Sequence, residues 1–102
     1  MESVDFSIIT PVYNGEKFLK ETIDSVLSAM DGHSAEYIII DDGSTDFTSE
    51  VISEYREKLI YVLKENGGQA SAVNVGLAMA RGRYSVIVNS DDPLPTGILL
   101  TE

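Results

Sequence analysis

Two pairs of neighbouring carboxylates carry the most pointed chemistry in this 102-residue chain: Asp41-Asp42 in "IIIDDGSTD" and Asp91-Asp92 in "VIVNSDD". Adjacent carboxylates raise each other's pKa unless a cation or hydrogen-bond donors stabilise them. A lone Asp after a strand commonly caps an Asx turn. Two pairs on one edge of a sheet point instead to a hard divalent cation, Mg2+ or Mn2+, which prefers oxygen ligands.

Four short, β-branched runs position these acids: "FSIIT" at 6–10, "YIIID" at 37–41, "IYVL" at 60–63 and "YSVIV" at 84–88. Each reads as a strand buried on both faces. Between them lie three segments of helical period. Leu19, Ile23, Val26, Leu27 and Met30 share one face; Phe47, Val51 and Tyr55 share a second; Ala70, Val73, Leu77 and Ala80 share a third. Asn14 and Ser44 or Thr45 suit helix N-caps, and Gly82 suits a left-handed residue after the third helix. The β-α-β-α-β-α-β pattern predicts a single α/β domain over 1–102, a mostly parallel sheet flanked by helices. Such sheets bind ligands outside the carboxyl ends of their strands. "PVYNGE" (11–16), "DDGSTD" (41–46), "KENGGQ" (64–69) and "NSDDP" (89–93) should therefore open on one edge.

Composition narrows the ligand. Seventeen acidic residues against seven basic ones leave a net charge of −10, a field that repels nucleic acid and anionic membranes. A small anion would need a helix N-terminus or a bound cation. There are no cysteines, so disulfides and thiolate metal sites are excluded. The N-terminal stretch "MESVDFSII" lacks a signal-peptide pattern, and no run approaches the roughly 20 apolar residues of a membrane span. A cytoplasmic location is expected, at the inner face of a membrane if a longer protein carries an anchor. Neither G-x-G-x-x-G nor G-x-x-x-x-G-K-[ST] occurs, which counts against dinucleotide oxidoreductases and P-loop NTPases.

Taken together, "SIITPVYNGEKFLKETIDSVL", "IIIDDGSTDFTSEVI", "NGGQASAVNVGLAMARGRY" and "NSDD" resemble the nucleotide-binding half of a family 2 glycosyltransferase of the GT-A, Rossmann-like fold. The resemblance runs in order from about residue 6 to the acidic motif. It implies that Pro11, Tyr13 and Glu16 hold the base and ribose and that Asp42 accepts the imide N–H of uracil. By the same resemblance, Gly67 and Gly68 lie beside the diphosphate. Asp91 faces ribose and metal, and Asp92 is the direct ligand of Mn2+ or Mg2+. A UDP-sugar donor and a saccharide or lipid-linked acceptor follow. On residue chemistry alone, Tyr13 also suits a rim aromatic packed on the first helix; Gly67-Gly68 equally suit a simple left-handed turn before the third helix, and Asp41 a turn cap. Two positions depart from the common pattern: Val73 stands where an arginine is frequent, and Asn89 replaces the first acid of D-S-D-D.

The family's catalytic base belongs to chain beyond the acidic motif, so residue 102 is expected to precede it, and these residues alone are expected not to catalyse transfer. The fourth strand's edge and the tail "GILLTE" are expected to be exposed and to favour self-association. Three other readings compete. A nucleotidyltransferase would carry a basic, glycine-rich loop after strand one, where "PVYNGE" stands. A phosphoacceptor receiver would need acids after strand one and a lone Asp after strand three, where "TPVYN" and "KEN" stand. A non-catalytic sugar-nucleotide-binding domain differs only in downstream sequence.

Overall fold

All four apolar runs form strands in the computed structural model, which describes residues 4–91. The order is β1 (Phe6–Val12), α1 (Leu19–Met30), β2 (Ala35–Asp41), α2 (Thr48–Ser53), β3 (Ile60–Leu63), α3 (Gln69–Met79) and β4 (Tyr84–Ile87). Every pairing is parallel, and the strands lie in the order β3-β2-β1-β4. Asp92 and the tail "GILLTE" lie outside the described residues.

This order reverses once. The chain steps outward from β1 to β2 to β3, then crosses β2 and β1 to place β4 on the far side. Right-handed crossovers in opposite directions put their helices on opposite faces. Accordingly Leu19, Ile23 and Val26 of α1 and Ile52 of α2 pack with Ile8, Val12, Tyr37 and Ile39. Ala72 of α3 packs with Ile9, Ile38 and Ile40 on the other face.

Burial on both faces holds for β1 and β2, where every residue but Ala35 is buried. It fails for β3 and β4, whose residues are partly or fully exposed. Among the described residues both are four-residue edge strands with one neighbour each, and β-branched composition does not distinguish centre from edge. The exposed β4 edge agrees with the expectation from sequence. β1 runs two residues longer than predicted and includes Pro11, which lacks an N–H. The Val12 carbonyl accepts from Asp42 N–H, so the neighbouring Pro11 nitrogen faces the β4 side. There the ladder has already ended at Ile9↔Ile87, and no bond is lost.

Three local expectations change. Phe47 is not in the α2 core face but 65% exposed, just before the helix; Thr48 and Ile52 are the buried residues. Asn14, Ser44 and Thr45 do not cap helices: α1 begins after Phe18 with no side-chain cap. Instead Asp46 accepts the Thr48 N–H at 2.9 Å ahead of α2. Gly82 is not left-handed. It is small because a Cβ there would lie 2.6 Å from Ser7 N, where the α3–β4 turn crosses β1. That turn is pinned by buried Glu36, which accepts from Ser7 Oγ, Arg81 N–H and Arg81 Nε at 2.6, 2.8 and 3.0 Å.

The face of α3 also differs. Ala72 and Gly76 are buried, whereas Leu77 is 46% exposed. Small side chains let the helix backbone close on the sheet, and α3 carries apolar residues around its circumference, so periodicity alone selected the wrong stripe. A Cβ at Gly76 would lie 2.5 Å from Ile9 Cγ2. Gly76→Ala should therefore destabilise the fold by a net ~1–2 kcal/mol, although Ala is about 1 kcal/mol the better helix former. Thermal unfolding checks this: a midpoint lowered by about 5 °C is expected, and an unchanged or raised midpoint contradicts the close approach.

Candidate functional site

The strand order places the switch point at the carboxyl ends of β1 and β4, between the faces covered by α1 and α3, where a crevice opens. A cavity of about 390 Å3 occupies it, lined by Pro11, Val12, Tyr13, Asp42, Gln69, Asn89, Ser90 and Asp91. All four polar loops thus reach one edge, and residues from each line the cavity.

β1 delivers Pro11, buried Val12 and then Tyr13, whose side chain is half exposed. On the opposite wall, the turn after β4 is held against α1 by Thr22 Oγ1, which donates to the Ser90 carbonyl at 2.6 Å. This anchor sets the position of Asn89, Ser90 and Asp91. Gln69, the first residue of α3, closes the wall between them: its Nε2 donates to Asn89 Oδ1 at 3.1 Å.

Asp42 is the most elaborately held group. Only 3% exposed, its carboxylate accepts from Lys64 Nζ at 2.8 Å, Gly67 N–H at 3.0 Å, Gly68 N–H at 2.9 Å and Asn66 Nδ2 at 3.3 Å. Asn66 Nδ2 also donates to the Asp42 carbonyl at 3.0 Å. Gly68 has φ 98°, a conformation glycine adopts without strain; here it helps turn two successive amides onto one carboxylate. The Lys64 hydrogen bond chiefly holds the Asp42 carboxyl below its ordinary range, with the two glycine amides assisting against burial.

The two acids of the first pair have separate partners. Asp41 is buried, accepting from Tyr61 Oη at 2.7 Å and Ser44 N–H at 2.9 Å, a turn-forming arrangement. Donors within the chain therefore hold both Asp41 and Asp42. Among the described residues no three His, Cys, Asp or Glu side chains gather as a metal site. Asp91 opens on the cavity.

Of the residues singled out in the sequence, Pro11, Tyr13, Asp42 and Asp91 line the cavity. Glu16 does not; it is exposed, and its N–H donates to Asp46 Oδ2 at 3.2 Å. Gly67 and Gly68 are not in the wall and turn their amides onto Asp42. Asp92 is outside the described residues. Sequence reasoning missed Gln69 and Lys64. Lys64 was detectable as the single basic residue in the four loops, and Gln69 as the residue opening a helix directly after Gly-Gly.

A parallel sheet with polar loops around a crevice at its switch point defines a nucleotide-binding α/β fold of the GT-A, Rossmann-like kind. Within that class the chain belongs to glycosyltransferase family 2: the model of that family, Glycosyl transferase family 2, matches residues 7–100. It is 38% identical over 98 residues to the minor teichoic acid biosynthesis protein GgaB of Bacillus subtilis, covering 91% of this chain and 11% of that one. The S. aureus TarS 1-349 crystal structure in complex with UDP-GlcNAc superposes with a TM-score of 0.79 at 35% identity, over 88% of this chain and 27% of that one. The mannosyltransferase PcManGT from Pyrobaculum calidifontis, in complex with GDP-Man and Mn2+, gives 0.77 at 27% identity, over 94% and 30%. The chain spans about a quarter, 27%, of the length of curated relatives that it matches at 43% identity.

Asp42 yields a pH prediction. A carboxyl held below its unfolded value of 3.8 contributes stability that is fully present above that value and is lost as pH falls through the lower folded-state value. Acid titration of unfolding free energy should therefore fall more steeply below pH 3.8 for wild type than for Asp42→Asn. Asp42→Asn should be less stable by about 2–4 kcal/mol at neutral pH, since Lys64 loses its counter-charge and an amide N–H faces donors. Superimposable acid limbs would contradict the assignment.

Proposed function

We propose that the protein containing this chain transfers a sugar from a nucleotide-diphosphate sugar, UDP-linked, to an acceptor hydroxyl with inversion at the anomeric carbon. Residues 1–102 would be its donor-binding domain. The observation that carries this reading is the switch-point cavity, with Tyr13 and Asp42 on one side and Asn89, Ser90 and Asp91 on the other. Its volume lies within the roughly 300–1,000 Å3 of small-molecule sites. TarS, crystallised with UDP-GlcNAc, supports the choice of donor.

Tyr13 offers an exposed ring on which a base stacks, with Pro11 beside it and the Glu16 turn supporting the ribose end. Asp42 presents an acceptor to the imide edge of uracil, an edge at which cytosine has no proton. Because its oxygens already accept four donors within the chain, base recognition exchanges one of these for the ligand's N–H. The diphosphate runs toward the start of α3, where Gln69 lines the wall; Gly67 and Gly68 act there through Asp42, whose carboxylate their amides hold. The N-terminal end of that helix favours negative charge.

Asp91 supplies an exposed carboxylate at the cavity, and Asp92 adjoins it in sequence. One or two carboxylates plus substrate phosphates is the donor set Mg2+ or Mn2+ takes, so these residues fit the cation; PcManGT was solved with Mn2+. When bound, the ion neutralises charge growing on the leaving diphosphate. Asn89 adds no charge and offers its amide to a hydroxyl. In the transfer itself the acceptor oxygen bonds the anomeric carbon, the bond to the diphosphate breaks, and the acceptor proton passes to a carboxylate base. By the family resemblance that base belongs to the segment that follows the acidic motif. The acceptor is a saccharide or a lipid-linked saccharide, in keeping with the teichoic acid role named for GgaB. Nucleic acid is not a partner, given the net charge of −10. Among the described residues no helix is long and apolar enough to cross a membrane. The reaction is assigned to the cytoplasm, at the membrane's inner face where an anchor is present. Among the described residues β4 is an edge strand, through which the chain would self-associate.

Calorimetry with UDP, GDP, dTDP and CDP, with and without Mn2+, tests the reading. UDP should bind about tenfold tighter than CDP, Mn2+ should tighten it further, and Asp92→Asn should remove only the Mn2+ gain. Tyr13→Ala should weaken UDP about tenfold or more through lost stacking. Equal affinity for all four nucleotides, indifferent to Mn2+ and to both substitutions, would sink it.

A further inference from the structure

The turns after β1 and β2 are joined by a set of hydrogen bonds centred on Asn14. Asn14 is the one non-glycine residue with positive φ, 52°, among the described residues. Asparagine tolerates this left-handed conformation better than most residues, yet it is a sparsely occupied one that persists where surrounding bonds over-determine it. Here they do. The Asn14 N–H donates to Ser44 Oγ at 2.8 Å, and Asn14 Oδ1 accepts the Thr45 N–H at 2.8 Å. The next two amides continue the seam: Gly15 N–H donates to Thr48 Oγ1 at 2.9 Å and Glu16 N–H to Asp46 Oδ2 at 3.2 Å. Three successive amides of one turn are thus taken by Ser44 and Asp46 of the other turn and by Thr48 at the start of α2, and among these side-chain bonds only Asn14 returns one.

The seam lies directly behind the cavity. Asn14 follows Tyr13, and Ser44 lies two residues after Asp42; Tyr13 and Asp42 both line the cavity. The β1–β2 ladder ends in a 2.8 Å bond from the Asp42 N–H to the Val12 carbonyl, and the seam carries that tie beyond the strand ends into the turns. We propose that Asn14 is the positioning residue that locks the Tyr13 turn to the Asp42 turn and so sets the nucleoside end of the cavity. The inference rests on the nucleotide-binding reading of that cavity. A left-handed residue with a short side-chain acceptor is required: glycine keeps the backbone and loses the acceptor, and aspartate keeps both.

Asn14→Gly and Asn14→Asp therefore separate the two contributions. In the protein, UDP affinity is measured by calorimetry, and amide exchange is followed at Gly15, Glu16 and Thr45, with Arg81 and Gly82 at the far end of the sheet as internal references. Asn14→Gly should weaken UDP about three- to tenfold and speed exchange at Gly15, Glu16 and Thr45. Arg81 and Gly82 should stay protected, which global destabilisation would not allow. Asn14→Asp should bind within about threefold of wild type, since it retains the acceptor, and should restore that protection. Wild-type affinity in Asn14→Gly, equal losses in both variants, or unchanged exchange in Asn14→Gly would overturn the positioning role. Wild-type protein that binds no UDP would defeat the nucleotide reading and the positioning role with it, while the exchange data would still decide whether Asn14 joins the turns.

Discussion

A single buried carboxylate, that of Asp42, organises the edge of the sheet on which the site is built. Ionised and almost wholly withdrawn from water, it must be compensated within the fold, and four donors from the β3–α3 loop do so. The consequence is positional. With the loop drawn onto the end of β2, α3 starts beside the crevice, its first residue Gln69 lies in the wall, and Gln69 reaches Asn89 after β4. A chain of contacts beginning at one carboxylate thereby surrounds the cavity.

The layer arrangement explains why such a carboxylate is available there. β1 and β2 form the buried centre, and α1 and α3 close on opposite faces. The β1–β4 ladder ends at Ile9↔Ile87, and with α1 and α3 on opposite faces the crevice opens beyond it. The far end is built differently: Glu36, Ser7 and Arg81 form a satisfied network that ties the α3–β4 turn to the sheet. Its groups are all engaged in holding the fold. At the carboxyl edge Tyr13, Asn89 and Asp91 remain exposed at the cavity, open to a ligand.

Much of this was legible in the sequence. Alternating apolar runs and helical segments identified all seven elements and the parallel sheet, and the polar loops after each strand identified the edge of the site. Strand order is not legible there, and with it goes the exposure of the faces of β3 and β4, because isoleucine and valine read alike at the centre and the edge. The face of α3 was misassigned since Ala72 and Gly76 pack by being small, which hydropathy does not register. Asn14 was mistaken for a cap because caps and left-handed turns draw on the same short polar side chains. Lys64 was overlooked because its role depends on Asp42, a residue 22 positions away and brought near only by β2–β3 pairing.

The central claim is that loops from all four strands act as one nucleotide site at the switch point. Backbone amide shifts recorded while UDP is titrated into isotope-labelled protein test it most directly. The account predicts concerted, saturable shifts at Tyr13, Asp42, Gly67, Gly68, Gln69 and Asn89 to Asp91, with Glu36, Arg81 and Gly82 unmoved. Shifts centred on the Glu36 end, or confined to one loop while the others stay still, would contradict it.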